Sequence, residues 1–200
     1  MSASVIAYDR GMGRWEPNAR GRLERAALEL YLERGYEQTT VTEIASRAGL
    51  TQRTFFRHSA DKCEVLFAGS NWLQELVVST LTGAPDSAAP IDAVCAALQA
   101  AGAAIQEGGD RPRQRQAVID ANPDLQEREL IKLARIAAAI AGALRERGVA
   151  DPAASLTAEA GVAVFKIAFG RWISQDGGGA DLPELIKASF EELKTVTAGG

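Results

Sequence analysis

Two helix-start signals, Thr40 with Glu43 three residues on and Thr51, flank the glycine Gly49. A threonine at an N-cap satisfies backbone N–H groups that the first helical turn leaves unpaired, and a glutamate three residues later closes the capping box. The spacing predicts two short helices, from Thr40 to near Ala48 and from Thr51 to His58, with a sharp turn at Gly49, where a residue tolerant of positive φ is needed. Two such helices cross closely only if the first offers a small side chain at the crossing, which Ala45 does. Ile44, Ala48, Leu50 and Phe55 are the apolar residues that pin the pair to a third helix. That helix precedes them: Leu23, Ala26, Ala27, Leu30 and Tyr31 recur at helical spacing between Asn18 and Arg34, and Gly35 ends it.

Nothing elsewhere in the 200 residues reads as a strand. The expectation is an all-α fold, with an N-terminal three-helix helix-turn-helix domain and a larger C-terminal helical domain. Residues 1–17 carry two glycines, a proline and no period, and are expected to be a disordered arm whose Arg10 and Arg14 are free to enter a minor groove. Residues 18–66 form the first domain and 67–200 the second. Asp61 with Glu64 repeats the capping signature and predicts a fourth helix from there to Thr80. Further helices are expected over Pro90–Gln106, Pro112–Ala121, Pro123–Arg147 and Pro152–Gln175. After a flexible joint at Gly177-Gly178-Gly179, a last helix is expected with Asp181 as its cap.

The net charge of −4 divides unevenly. Residues 1–66 hold ten Lys and Arg against nine Asp and Glu, whereas residues 67–200 hold twelve against seventeen. A basic patch on an acidic chain still collects phosphates, because salt confines surface charge effects to roughly 8–10 Å. On the second short helix, Gln52 suits adenine, Arg53 suits guanine O6 and N7, and Thr54 suits a phosphate or a thymine methyl. Thr51 stands at its start. Arg57, His58 and Lys62 follow as phosphate contacts, with Thr40 and Thr42 at the preceding helix's start. An acidic isoelectric point near 5.2 argues against an architectural protein that coats DNA without reading it.

The run from Gly35 to His58, within residues 19–66, resembles the N-terminal signature of the tetracycline-repressor (TetR) family. The resemblance implies a homodimer that binds a palindromic operator in double-stranded DNA, carries a small effector in its second domain, represses by default and has no enzymatic activity. It also implies that Phe56 replaces a tyrosine whose hydroxyl commonly meets a phosphate, that Ser59 stands where an aromatic is usual, and that Lys62 is the family's phosphate-binding lysine. The stretch Arg113–Glu129 resembles the second domain of actinobacterial TetR-type regulators that take acyl-CoA-like ligands. That implies an apolar effector with an anionic head, met by Arg111, Arg113 or Arg115, unless these arginines pair with Glu127 and Glu129.

Pocket residues are expected among Trp72, Leu98, Ile105, Arg115, Ile119, Ile136 and Phe165. The stripe Phe169, Trp172 and Ile173, opposite Leu185, Ile186 and Phe190, is expected to build a four-helix dimer interface, or else to close the core of one chain. Cys63 and Cys95 have no ligand spacing, His58 is the only histidine, and no Ser-His-acid set assembles, so neither cofactor, metal site nor catalytic site is expected. No apolar run such as Ile136–Leu144 is long enough to cross a bilayer, and the N-terminus lacks a signal-peptide core, which points to the cytoplasm. An all-α enzyme remains the rival reading, for which no catalytic set is visible. Effector binding is expected to shift the fourth helix and change the spacing of the two recognition helices.

Overall fold

The computed structural model describes residues 19–175 and 179–199. The expected N-terminal arm, with Arg10 and Arg14, and most of the expected glycine joint lie outside the described residues. Among the described residues every regular element is helical: α1 (Ala19–Arg34), α2 (Val41–Arg47), α3 (Gln52–His58), a 3₁₀ turn (Glu64–Phe67), α4 (Ser70–Thr82), α5 (Pro90–Gln106), α6 (Arg111–Asp120), α7 (Pro123–Glu146), α8 (Asp151–Ile173) and α9 (Leu182–Thr197).

Two apolar clusters organise these helices. The first joins α1, α2, α3 and the 3₁₀ turn through Leu23, Leu30, Ile44, Phe55 and Leu66, and it also takes in Val118, Ile119 and Leu125 from α6 and the start of α7. The second joins α4, α5, α7, α8 and α9 through residues such as Val94, Leu144, Ile186 and Phe190. At the centre of the second cluster α8 passes so close to α5 that a Cβ on Gly161 would stand 2.6 Å from Val94 Cγ1.

The fourth helix departs from the sequence expectation. Asp61 does accept a hydrogen bond from Glu64 N (2.6 Å), but the segment it starts is a 3₁₀ turn, and α4 begins only at Ser70. Val65, Leu66, Phe67 and Ala68 are all buried. An α-helix presents one apolar stripe to a core, and four consecutive buried residues carry no such stripe. At the start of α9, Asp181 occupies the cap position without a side-chain capping bond. Gln106 takes that role: its Oε1 accepts from Leu182 N and its Nε2 donates to Asp181, both at 2.7 Å.

Asp151–Ile173 is long and apolar enough to cross a membrane by length and composition alone, contrary to the reading of apolar runs. Its inner face (Ala154, Ala158, Val162, Ala168, Trp172) is buried, and the helix packs on α7 and α9. Mean hydropathy overlooks this because it counts composition and not which face of the helix is covered.

Candidate nucleic-acid interface and ligand cavity

The turn between α2 and α3 follows from three local causes. Thr40 Oγ1 accepts from Glu43 N, while Glu43 Oε2 accepts from Thr40 N (2.9 Å) and Thr40 Oγ1 (2.8 Å). This closes the predicted box and leaves Thr40 little to offer a phosphate. Gly49 adopts φ 66°. Arg22 of α1 then clamps the turn, donating from Nε and Nη2 to Ala48 O and from Nη2 to Gly49 O (3.2 Å). Ile44, Ala45 and Phe55 have essentially no exposed surface, so the pair is held as a rigid corner against α1.

On α3, Gln52, Arg53, Phe56 and Arg57 are exposed. Their spacing of one, four and five residues puts them on one face of a helix, opposite the buried Phe55. Thr51 Oγ1 accepts from Thr54 N and lies 3.1 Å from Thr54 Oγ1. Arg34 and Arg47 lie close by but are matched within the chain, Arg34 by Glu43 and Arg47 by Glu29 and Glu33. Arg53 has no such ion pair among the described residues. His58 is half-buried and its Nε2 is 3.4 Å from Arg57 Nη2. Phe56 keeps 53% of its surface exposed, and Thr42 is exposed on α2.

Lys62 stands apart from this face. Its Nζ donates to Tyr36 O (3.0 Å) and Glu37 O (3.4 Å) and lies 4.2 Å above the Tyr36 ring. It ties the α1–α2 turn to the segment before the 3₁₀ turn. Ser59, noted as a departure, is buried and ends α3 with its N–H on Phe55 O.

A cavity of about 500 Å³ opens between the two clusters. Five of the expected pocket residues line it: Trp72, Ile105, Arg115, Ile136 and Phe165. Leu98 and Ile119 do not. Leu98 is fully packed in the second cluster and Ile119 in the first, since an apolar periodicity alone does not separate a cavity wall from solid core. The sequence reading missed Glu24, Leu66, Phe67, Gln116, Glu129 and Lys132, all of which line the cavity. Lys132 was detectable as a lone charge in the apolar run Leu130–Leu133; Glu24, on α1, gave no such signal.

The wall nearest the first domain is polar. Arg115 donates from Nε to Leu66 O (3.0 Å), stacks 4.7 Å from the Phe67 ring and stands 3.5 Å from Glu129. Burial holds its guanidinium below its ordinary pKa, opposed by Glu129 and Glu24. Burial likewise raises the Glu24 carboxyl, against Arg115, Arg111 and Arg20. Lys132 is buried with its Nζ 2.5 Å from Glu64, and Arg128 reaches both Glu64 and Asp61. Of the other two arginines expected to meet an anionic head, Arg113 donates to Trp172 O and lies over its ring, and exposed Arg111 does not line the cavity. Arg115 pairs with Glu129 and not with Glu127.

The expected dimer stripe is mostly interior. Trp172, Leu185, Ile186 and Phe190 are buried within the single chain, and Phe169 and Ile173 line the cavity. The amphipathic pattern was real, but its partner is the chain's own core. Leu156, Ile167 and Val196 are instead exposed at 71%, 60% and 72% on α8 and α9. Cys63 and Cys95 are free and buried, with both thiols raised by burial. No group of His, Cys, Asp and Glu among the described residues is arranged to hold a metal ion.

Comparison with known proteins bears on both halves. Residues 24–68 match the family described as bacterial regulatory proteins, tetR family, and residues 88–198 match the MftR C-terminal domain. The HTH-type transcriptional regulator TcmR of Streptomyces glaucescens is 38% identical over 89 residues, 44% of this chain and 39% of that protein, so the match spans well under half of that relative. Among solved structures, Thermus thermophilus FadR, a TetR-family transcriptional repressor in complex with lauroyl-CoA, is 27% identical. That match covers 88% of this chain and 93% of FadR with a TM-score of 0.53. A TetR-family regulator from Syntrophomonas wolfei, 14% identical, shares the fold at a TM-score of 0.65 over 91% of this chain and 96% of its own.

Proposed function

The chain belongs to the tetR family of bacterial regulatory proteins and is a DNA-binding transcriptional regulator, not an enzyme; from that premise we propose that it is a cytoplasmic, ligand-released repressor that binds a palindromic operator as a homodimer. The observation that carries the reading is the pairing of an exposed α3 face with a cavity built partly from the elements that hold it. Residues 18–66 read DNA, and 67–200 sense and dimerise. Arg53 and Gln52 read base edges, Thr54 assists them, and Arg57, His58, Thr42, Thr51 and Phe56 contact the sugar-phosphate backbone. Lys62 acts mainly by fixing the α1–α2 turn.

A single α3 of seven residues spans about 10 Å and reaches few base pairs. Two copies related by a two-fold axis read both halves of an inverted repeat in successive major grooves. The outer faces of α8 and α9 support that dimer. Leu156, Ala163 and Ile167 recur along one side of α8 and Val196 lies in the last turn of α9, all exposed among the described residues. The buried stripe first expected there is not available to a second copy.

The cavity touches the DNA-reading half directly, through Glu24 of α1 and Leu66 and Phe67 of the 3₁₀ turn. It also touches the start of α4 at Ser70, Trp72 and Leu73. An occupant lodged between Glu24 of α1 and the 3₁₀ turn shifts the turn against which α1 packs, and α1 holds the α2–α3 corner through Arg22. Release by about 100-fold requires that the occupant favour the non-binding state by roughly 2.7 kcal/mol. Selection from random duplexes tests the reading: a shared inverted repeat supports it, and no enriched sequence refutes it.

A further inference from the structure

We infer that the occupant of the cavity is an apolar molecule carrying a positively charged nitrogen, held by Glu24, Gln116 and Glu129, and not an acyl chain that ends in a carboxylate or phosphate. This rests on the reading of the cavity as the effector site and specifies its ligand.

The charges of the polar wall carry the argument. Glu24, Asp120 and Glu129 line it. Its two cations are already matched: Lys132 by Glu64 at 2.5 Å, and Arg115 by Glu129 at 3.5 Å and by the Leu66 carbonyl. The next cation behind them, Arg128, is shared between Glu64 and Asp61. Lys166, the remaining cation of the lining, is exposed on α8, an element that supplies none of these carboxylates. At this wall an anionic head would have to take Arg115 from Glu129 or Lys132 from Glu64, leaving Glu129 with only the Gln116 amide or Glu64 with only Arg128, which is costly. A cation can leave those pairs in place and give Glu24 a direct partner, since Arg115, Arg111 and Arg20 act on it only through space and it has no ion pair among the described residues.

Gln116 points to the same chemistry independently. It is 9% exposed. Its Nε2 donates to Asp120 Oδ1 (2.8 Å) and Glu129 Oε2 (3.2 Å). Two carboxylates on one side fix the amide's orientation, since only the N–H₂ end can serve them. Oε1 is then a buried acceptor with no partner among the described residues. Such an acceptor costs stability until a donor reaches it, and an ammonium is a donor with no acceptor character.

Calorimetric titration of the full chain with four probes that share a twelve-carbon tail tests this: dodecylamine, dodecanol, dodecanoate and lauroyl-CoA, each below its micellar concentration. Dodecylamine is expected to bind about tenfold tighter than dodecanol, the scale of one charge-assisted hydrogen bond, and both anions more weakly than dodecanol. Glu24→Gln is expected to remove most of the amine's advantage and leave dodecanol unchanged. Asp86→Asn, in the exposed loop after α4, is expected to change neither. Anions that bind as tightly as the amine overturn the inference and leave the cavity reading intact. So does an advantage lost equally in Asp86→Asn, which would mark general attraction to an acidic chain. If no probe binds, dodecanol included, the cavity reading fails and the inference with it.

Discussion

Replacing Gly49 by alanine tests how the corner that presents α3 is held. The backbone there sits at φ 66°, where an L-residue other than Gly, Asn or Asp pays about 1–2 kcal/mol. The new Cβ would also stand 2.8 Å from Arg22 Nη2, the atom that bonds Ala48 O and Gly49 O. The guanidinium is the far end of a flexible, part-exposed side chain, so it moves away and forfeits about 1 kcal/mol, the ordinary net worth of a hydrogen bond. Gly49→Ala is therefore expected to destabilise the chain by about 2–3 kcal/mol, or about 5–10 °C in Tm for a chain of this size. Urea unfolding reads the first and calorimetry the second. Arg22→Met alone is expected to cost about 1 kcal/mol. The double variant is expected to fall short of additivity by a similar amount, because the clash has gone with the guanidinium. Gly49→Asn, which tolerates the left-handed region, is expected to cost less than Gly49→Ala. Strict additivity in the double variant, or Gly49→Ala within about 0.5 kcal/mol of the parent, would refute the account of the turn.

Four further outcomes are expected. Arg53→Ala should lose about 1–3 kcal/mol of operator affinity and relax one position per half-site, measured by repeating the duplex selection; a loss uniform over all sequences contradicts its role. Lys132→Met should destabilise the chain by about 2 kcal/mol, less than for a fully isolated buried pair because Arg128 still faces Glu64, as read by urea unfolding. Ile167→Arg should convert the dimer to monomers by sedimentation, whereas Trp172→Arg should instead unfold the chain. Glu43 and Glu33 have carboxyls held below the usual range, by the Thr40 backbone N–H and hydroxyl and by Arg47 respectively. Their contribution is present above the ordinary carboxylate pKa and is lost as pH falls through the lowered one. Melting temperature should thus fall on acidification below about pH 4, and Glu43→Gln should flatten part of that fall.

The helices around the turn were legible because their signals are local. A capping box needs only Thr40 and Glu43, and a left-handed turn needs only Gly49, so neighbours in sequence carry the whole instruction. The Trp172–Phe190 stripe was equally visible, but a helix stripe says only that a face is covered, not by what. The covering surface is α8 against α9 of the same chain, fixed by long-range packing. The outward side of α8 was masked by its alanines, whose small apolar side chains suit core and interface alike. The same limit applies to the cavity: Leu98 and Ile136 share a pattern, and only the path of α5 past Gly161 makes the first solid core. The polar wall was the least legible part, since Glu24 on α1 meets Gln116 and Lys132 from α6 and α7, far along the chain. The base-reading residues were the reverse case, because an exposed face one turn past a glycine follows from the turn itself.

The central claim is that two copies of α3 are presented to DNA by a two-fold dimer. Hydroxyl-radical footprinting on the selected operator, with stoichiometry measured by sedimentation of the same complex, tests it most directly. The account predicts two chains per duplex and two protected stretches centred roughly 34–36 Å apart, one helical turn or a multiple of it. A single protected stretch, or one chain per duplex at saturation, would contradict it.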